Sequence, residues 1–222
     1  KPEESSEKVK VPETISFLKD YTVGTGVVIG IIMLLSSIAA GSAIVQPMAG
    51  DMNYIAWSIF EAMRFAAGLT VLLVGVRMII AEIVPAFRGI SMMIIPGGRP
   101  ALDCPIIFPV APTAVLLGFI ASTVAFIILM LIFAAIGWAV IVPPMIMLFF
   151  PGGACGVFGN ATGGWKGAIL GGLINGTLLA FGQAIIFSVI PTTVPEMGAI
   201  LDPDYTVIIL LLVGILRLIK GV

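Results

Sequence analysis

Three long stretches of this sequence contain no charged residue, and they limit what the chain can fold into more than any other feature. They cover residues 21–50, 104–165 and 167–195. Each is longer than the ~20 residues that a helix needs to cross the hydrocarbon core of a bilayer. Only 10% of the chain is charged and 59% is hydrophobic, whereas a soluble domain carries roughly 25% charged residues. Too few charges remain to cover a water-facing surface, so the sequence predicts an all-α, multi-pass protein of the lipid bilayer.

The composition also excludes several classes of function. The net charge is −1, so no basic field attracts nucleic acid. Histidine is absent, which removes the usual proton shuttle and any phosphohistidine chemistry. The two cysteines, Cys104 and Cys155, have neither the spacing of a zinc site nor that of a disulfide framework. An intramembrane enzyme needs a nucleophile–base pair or a metal cluster, and the sequence predicts no catalytic residue, metal or cofactor.

Glycine and proline divide the apolar stretches into six predicted membrane passes. They cover residues 23–46, 56–83, 112–135, 137–150, 167–190 and 205–218. Lysine and arginine mark the cytoplasmic side of a membrane. Four lysines precede the first pass, Arg217 and Lys220 follow the last, and the loop 191–204 carries three acidic residues and no cation. Both termini are therefore predicted to be cytoplasmic, which agrees with an even number of passes.

Three stretches do not fit regular membrane-spanning helices. Residues 84–99 mix charged with apolar residues at helical spacing, which predicts an amphipathic helix in the plane of the interface. Residues 100–112 contain four prolines and predict a re-entrant hairpin, because irregular backbone survives at membrane depth only inside protein or beside a polar cavity. Residues 152–167 are too rich in glycine for a lipid-facing helix and predict a close approach of the backbone to a ligand or another segment.

Asp103 is the first candidate for a functional residue. It lies in the proline-broken segment and is followed by 62 uncharged residues. An ionisable group at membrane depth is costly, which makes it a functional-site hypothesis. Its carboxylate suits two hydroxyls of a sugar or a coupling proton. Alternatively, it caps the helix of the hairpin.

Asn160 and Thr162 are the next candidates, within the glycine-rich stretch. Their amide and hydroxyl suit hydrogen bonds to a polyol or an enediol, but Asn and Gly are equally typical of a turn between two helices. The four-residue spacing of the glycines at positions 163, 167 and 171 favours close packing of helices over ligand binding. Cys104 has no neighbouring cation to stabilise a thiolate, so its sequence context alone favours a packing role.

Three segments carry a family resemblance: residues 75–89 (GVRMIIAEIVPAFRG), 100–109 (PALDCPIIFP) and 156–164 (GVFGNATGG). Together they resemble the ascorbate-type enzyme IIC, the membrane permease subunit of the bacterial phosphotransferase system. The similarity runs from Val11 to the end and corresponds to the C-terminal half of that transporter. The chain departs from the family at Val110 and Thr113, where an aromatic residue and an asparagine are expected.

The resemblance implies a fold and a mechanism. One half of an inverted repeat is expected, with residues 1–22 as a cytoplasmic linker, residues 23–83 as a V-shaped dimerisation motif and residues 100–222 as a core domain. Alternating access in a homodimer would carry L-ascorbate or a related small polar substrate across the bacterial inner membrane. Separate cytoplasmic subunits of the enzyme IIB and IIA types would supply the phosphoryl group.

The resemblance also implies a substrate site. The aspartate of the family's hairpin contacts the vitamin and matches Asp103. The predicted substrate-binding residues are Asp103, Cys104, Pro105, Asn160 and Thr162, and the absent N-terminal half would supply the rest of the site. Two alternatives stay open: a galactitol-type or other sugar or polyol permease, and a structural or dimerisation fragment without transport.

Overall fold

The structure is a computed structural model and describes residues 4–8, 20–94, 104–189 and 203–220. The described residues form helices and no strand. The α-helices are α1 (Tyr21–Ala40), α2 (Ser42–Ala49), α3 (Tyr54–Ile94), α4 (Cys104–Ile107), α5 (Pro112–Ala135), α6 (Met145–Val189) and α7 (Pro203–Lys220), with short 3₁₀ turns at Ser6–Lys8 and Phe108–Val110. The all-α prediction is confirmed.

Four of these helices are long and apolar enough to cross a membrane, namely α1, α3, α5 and α6. Helix α6 has 45 residues, but Gly164 interrupts it with a backbone conformation of φ 64° and ψ −155°. This glycine therefore divides α6 into two arms. Helix α7 adds a further 18 residues, which include three charged ones. With the two arms counted separately and α7 added, six long helical segments result. The count of six membrane passes stays a prediction.

One of the predicted boundaries is wrong. The fourth pass was expected at residues 137–150, but the chain is not helical from residue 136 to 144, and α6 begins at Met145. The glycine-rich stretch was expected not to be a lipid-facing helix; α6 continues through residues 152–163, and Gly152, Gly153 and Gly156 are buried inside the protein. Its helical form is stable there because several of its glycines are buried against neighbouring helices, which offsets the entropy that glycine loses in a helix.

The chain forms two compact units. The first unit consists of residues 10–112, and the second unit consists of residues 113–222 together with residues 1–9. The predicted functional division, with residues 23–83 as one domain and residues 100–222 as the other, stays a prediction. The described part of the 100–112 segment belongs to the first compact unit.

In the first unit, α1 and α3 form an antiparallel pair. Gly26 packs against Ala66, and the hydroxyls of Ser37 and Ser58 lie 2.6 Å apart and share a buried hydrogen bond. Helix α3 has 41 residues and is therefore roughly 60 Å long, about twice the thickness of the hydrocarbon core. The part of the predicted interfacial segment that is described is helical and continuous with this pass. Its orientation in the membrane stays a prediction.

In the second unit, the two arms of α6 fold back on each other and pack against α5. The backbone approaches closely at several glycines, because a Cβ atom at Gly156 would overlap the carbonyl oxygen of Ala114, and one at Gly159 would overlap that of Gly167. The close approach that the sequence predicts for this stretch is therefore confirmed. Buried amides add polar links: Asn175 donates to Ser122 at 2.9 Å, and Gln183 bonds both the N–H and the carbonyl of Val142.

Candidate functional site

The predicted hairpin is described from Cys104 onward, and Asp103 lies outside the described residues. Cys104 is half-buried and begins α4, and Pro105 lies in the same helical turn. The helix lasts four residues and passes into a 3₁₀ turn before α5 begins. This interrupted backbone agrees with the four prolines of the segment. Its re-entry into the membrane stays a prediction.

Aromatic packing anchors this short segment to the first unit. The ring of Phe108 is fully buried, and it packs edge-to-face against the ring of Tyr21 with 5.8 Å between ring centroids. Tyr21 is the first residue of α1. The segment after Asp103 is therefore held at one end of α1 by a buried contact rather than by its own short helix.

Asn160 and Thr162 lie near the end of the first arm of α6, just before the break at Gly164. Asn160 is 8% exposed, its Oδ1 accepts a hydrogen bond from the Ser6 N–H at 2.8 Å, and its Nδ2 donates to Ser5 Oγ at 3.3 Å. Thr162 is exposed, and its hydroxyl contacts carbonyl oxygens of its own helix. The two residues share a helix end, but only Asn160 bonds to a distant part of the chain.

The segment that contacts Asn160 was predicted only as part of a linker. The Glu7 carboxylate accepts hydrogen bonds from Thr113 Oγ1 at 2.9 Å and from the Ala114 N–H at 3.1 Å, at the start of α5. A negative charge is favourable at this position because the N-terminus of a helix carries a partial positive charge. The carbonyl of Glu4 lies so close to Gly164 that no Cβ would fit there.

Residues 4–8 therefore join three points of the second unit: the start of α5, Asn160 and the turn at Gly164. Ser6 is fully buried in this contact. Sequence reasoning found Asn160 and the turn but missed the segment that covers them, because a contact between residues 154 positions apart leaves no periodic pattern. A ligand that used the Asn160 amide would have to displace Ser5 and Ser6.

Charged groups are few among the described residues of the membrane helices. Glu61 and Arg64 form the salt bridge of 2.6 Å that their three-residue spacing predicts. The part of the chain that the structure describes contains no group of three or more metal-ligating side chains. Polar chemistry in these helices therefore rests on amides, hydroxyls and isolated charges.

Residues 1–204 match a protein family described as EIIC-GAT, the sugar-specific permease component of the phosphotransferase (PTS) system. The chain belongs to this family. It is also 33% identical over 163 residues to the ascorbate-specific PTS system EIIC component of Mycoplasma pneumoniae. That alignment covers 69% of this chain and 24% of the relative, so the chain spans about a quarter of the length of the curated relative that it matches. The predicted resemblance is confirmed, and this EIIC-type chain is a multi-pass membrane protein.

Proposed function

We propose that this EIIC-type chain forms part of a permease that moves L-ascorbate, or a closely related small polar substrate, across the bacterial inner membrane. The observation that carries the proposal is the family match over residues 1–204, taken together with the similarity to an ascorbate-specific component. Cytoplasmic subunits of the enzyme IIA and IIB types would phosphorylate the substrate. No observation favours a galactitol-type permease over this assignment.

The packing of the second unit supports a carrier role in alternating access. Helix α5 and both arms of α6 touch backbone to backbone at glycines such as Gly118, Gly156 and Gly176. Interiors packed in this way resist deformation, so such a unit is suited to moving as one body. We assign residues 100–222 to the moving core and residues 23–83 to a dimerisation scaffold, in a homodimer whose termini are cytoplasmic.

The proposed substrate site centres on Asp103, with Cys104 and Pro105 beside it in sequence and Asn160 and Thr162 as further candidates. A carboxylate next to a proline-broken helix suits a pair of substrate hydroxyls. The alternative role, capping of α4, stays open because Asp103 immediately precedes that helix in the sequence. If Asp103 is only a cap, other residues of the protein would have to bind the substrate hydroxyls.

The test compares ascorbate binding by the parent protein with binding by the Asp103→Asn and Asp103→Ala variants. If Asp103 accepts substrate hydroxyls, the Asn variant keeps the shape and loses a hydrogen bond to a charged group, worth roughly 1.5–3 kcal/mol. The affinity then falls about 10- to 150-fold, while thermal stability stays near that of the parent. Asp51→Asn is the matched control, because Asp51 is an exposed acid in the turn before α3.

Near-parental ascorbate binding by Asp103→Asn, combined with a loss of about 1 kcal/mol of stability in Asp103→Ala, would mean that the residue is only a cap. Galactitol serves as the competing ligand in the same measurement. Tighter binding of galactitol than of ascorbate by the parent would overturn the substrate assignment and leave the permease family intact.

A further inference from the structure

A pocket of about 380 Å³ lies within the first unit, beside the start of α1. Its polar lining includes Asp20, Tyr21 and Arg77, and its apolar lining includes Leu73 and Val74. The family assignment gives no role to this pocket. Because α1 and α3 both contribute to it, its walls are held by the helix pair of the first unit.

Arg77 places a positive charge on one wall of the pocket. Its Nη2 donates to the hydroxyl of Tyr21, whose ring is buried against Phe108. Within the described ranges no carboxylate forms a salt bridge with Arg77, and the hydrogen bond to Tyr21 is its one described partner. A guanidinium has five N–H donors in a planar fork that suits phosphate. Since the Tyr21 oxygen accepts from Arg77, its own proton also remains available to an incoming oxyanion.

Asp20 places a negative charge in the same pocket. Its Oδ1 accepts hydrogen bonds from the N–H groups of Thr22 and Val23, at 2.8 and 3.3 Å, and so caps α1. Its second oxygen, Oδ2, has no hydrogen bond to any residue that the structure describes. Asp20 and Arg77 line one pocket without forming an ion pair with each other. A ligand with separated negative and positive groups complements this arrangement better than a simple anion does.

The pocket lies at the end of α1, where the longer helix α3 continues past it. Helix α1 begins at Tyr21, beside Arg77, whereas α3 continues for 17 residues from Arg77 to Ile94. That extension is roughly 25 Å long and includes Glu82 and Arg88. If α1 spans the hydrocarbon core, the pocket lies in the headgroup layer.

An apolar strip on α3 extends from the pocket along the exposed side of the helix. Val71, Val74 and Met78 recur at helical spacing, and their side chains are 73%, 52% and 68% exposed in the chain. Val74 also lines the pocket. The charged pocket and the apolar strip are therefore continuous, as the binding of an amphiphilic molecule requires.

We propose that this pocket binds the headgroup of a zwitterionic phospholipid that carries a primary ammonium group. The phosphate contacts Arg77 and the Tyr21 hydroxyl, the ammonium group contacts Asp20 Oδ2, and an acyl chain follows the strip of Val71, Val74 and Met78. A lipid with a quaternary ammonium lacks the N–H donors for Asp20, and an anionic lipid places no positive charge there. The site therefore selects phosphatidylethanolamine over phosphatidylcholine and phosphatidylglycerol.

Native mass spectrometry of the purified protein, titrated with these three lipids of identical acyl chains, tests the proposal. We expect the parent to bind phosphatidylethanolamine about 10-fold more tightly than either of the others, the effect of one hydrogen bond to a charged group. Arg77→Gln should reduce binding of all three lipids by about the same factor. Asp20→Asn still caps α1 and should abolish the preference for phosphatidylethanolamine over phosphatidylglycerol.

Arg64→Gln is the matched control, because Arg64 is an exposed arginine of the same helix that pairs with Glu61 outside the pocket. It should bind all three lipids like the parent. Equal affinity of the parent for the three lipids would mean non-selective annular lipid and would overturn the proposal. Parent-like affinities for the lipids in Arg77→Gln, or a parent-like preference for phosphatidylethanolamine over phosphatidylglycerol in Asp20→Asn, would overturn it as well. Thermal stabilisation by phosphatidylethanolamine, present in the parent and lost in Arg77→Gln, gives a second readout for folded protein.

Discussion

Helix α3 of the first unit and the helices of the second unit use glycine in opposite ways. In the first unit, Gly68, Gly75 and Gly89 of α3 have nothing within 4 Å of the position that a Cβ atom would take. In the second unit, glycines such as Gly118 and Gly176 face the backbone of a neighbouring helix with no room for a methyl group. The same difference appears in burial: 50% of the most apolar window of α6 is buried within the chain, against 11% of that of α3.

This contrast indicates what each unit needs from its surroundings. The second unit contains its own packing partners, so its glycines set the distance between helices. Much of α3 in the first unit faces outward with large apolar side chains and needs lipid or another protein surface to cover it. Such a surface agrees with the dimerisation role that we propose for these helices, and it is the surface beside which the lipid pocket opens.

The largest expected difference in stability comes from adding one methyl group to each unit. In Gly118→Ala the new Cβ would overlap the carbonyl oxygen of Gly152 and the backbone of Gly156. Overpacking of this kind costs typically 1–3 kcal/mol, and because rigid backbone must move we expect about 3 kcal/mol. Gly68→Ala has open space and should be neutral or stabilising by up to about 1 kcal/mol.

Thermal unfolding of the two variants in the same detergent measures the difference. Equal loss of stability in Gly118→Ala and Gly68→Ala would contradict the contrast between the two units. Gly75→Ala places a methyl group at a second open position on α3, and it should have the same small effect on stability as Gly68→Ala.

A smaller effect should show that residues 4–8 belong to the second unit. Asn160→Ala would leave the buried Ser6 N–H without its acceptor, at a cost of about 1–3 kcal/mol. Thr162→Ala removes an exposed hydroxyl that bonds only to its own helix among the described residues, and should change stability by less than about 0.5 kcal/mol. Thermal unfolding measures the cost, and limited proteolysis before Lys10 should become faster only in Asn160→Ala. Unchanged proteolysis in that variant would separate the segment from the second unit.

The smallest expected effect concerns the charge at the start of α5. Glu7→Gln keeps an acceptor oxygen for the Ala114 N–H and can donate its amide N–H to the Thr113 hydroxyl, but it loses the charge that interacts with the helix dipole, worth about 0.3–1 kcal/mol at low salt. Glu4→Gln is the control, since no hydrogen bond of the Glu4 side chain is described. Unfolding at low and high salt should show a difference between Glu7→Gln and the parent that shrinks as salt rises. A salt-independent difference would assign the effect to geometry rather than to charge.

The sequence predicted a helix most accurately where the length of an apolar stretch alone determines its two ends. Helix α5 matches the predicted pass at residues 112–135 at both ends, because a proline marks its start and a glycine lies just beyond its end. The start of α6 was mispredicted, and the helical form of residues 152–163 was not foreseen, because the low helix propensity of glycine is outweighed by packing that no local pattern reveals. The close backbone contacts at these glycines depend on how three helices pack together, so the sequence of a single segment does not reveal them.

The candidate site was predictable in part. Composition and spacing identified Asn160 as a polar residue at a turn, and the described hydrogen bonds and the break at Gly164 agree with the turn. The sequence did not show that Ser5 and Ser6 supply its hydrogen bonds. The pocket beside Arg77 was missed because Asp20 and Tyr21 are far from Arg77 in the chain, and their proximity depends on the register of α1 against α3.

The single-residue break at Gly164 has a consequence for how this protein is made. The arms on either side of it are each long enough to cross the bilayer, and no polar loop separates them that could be held in water while one arm enters lipid first. Because Gly159 and Gly167 touch across the turn, the arms are partners from the moment both have been synthesised. We therefore expect the two arms to enter the membrane together as a helical hairpin, and an epitope tag placed in the turn should lower the amount of protein that is integrated into the membrane.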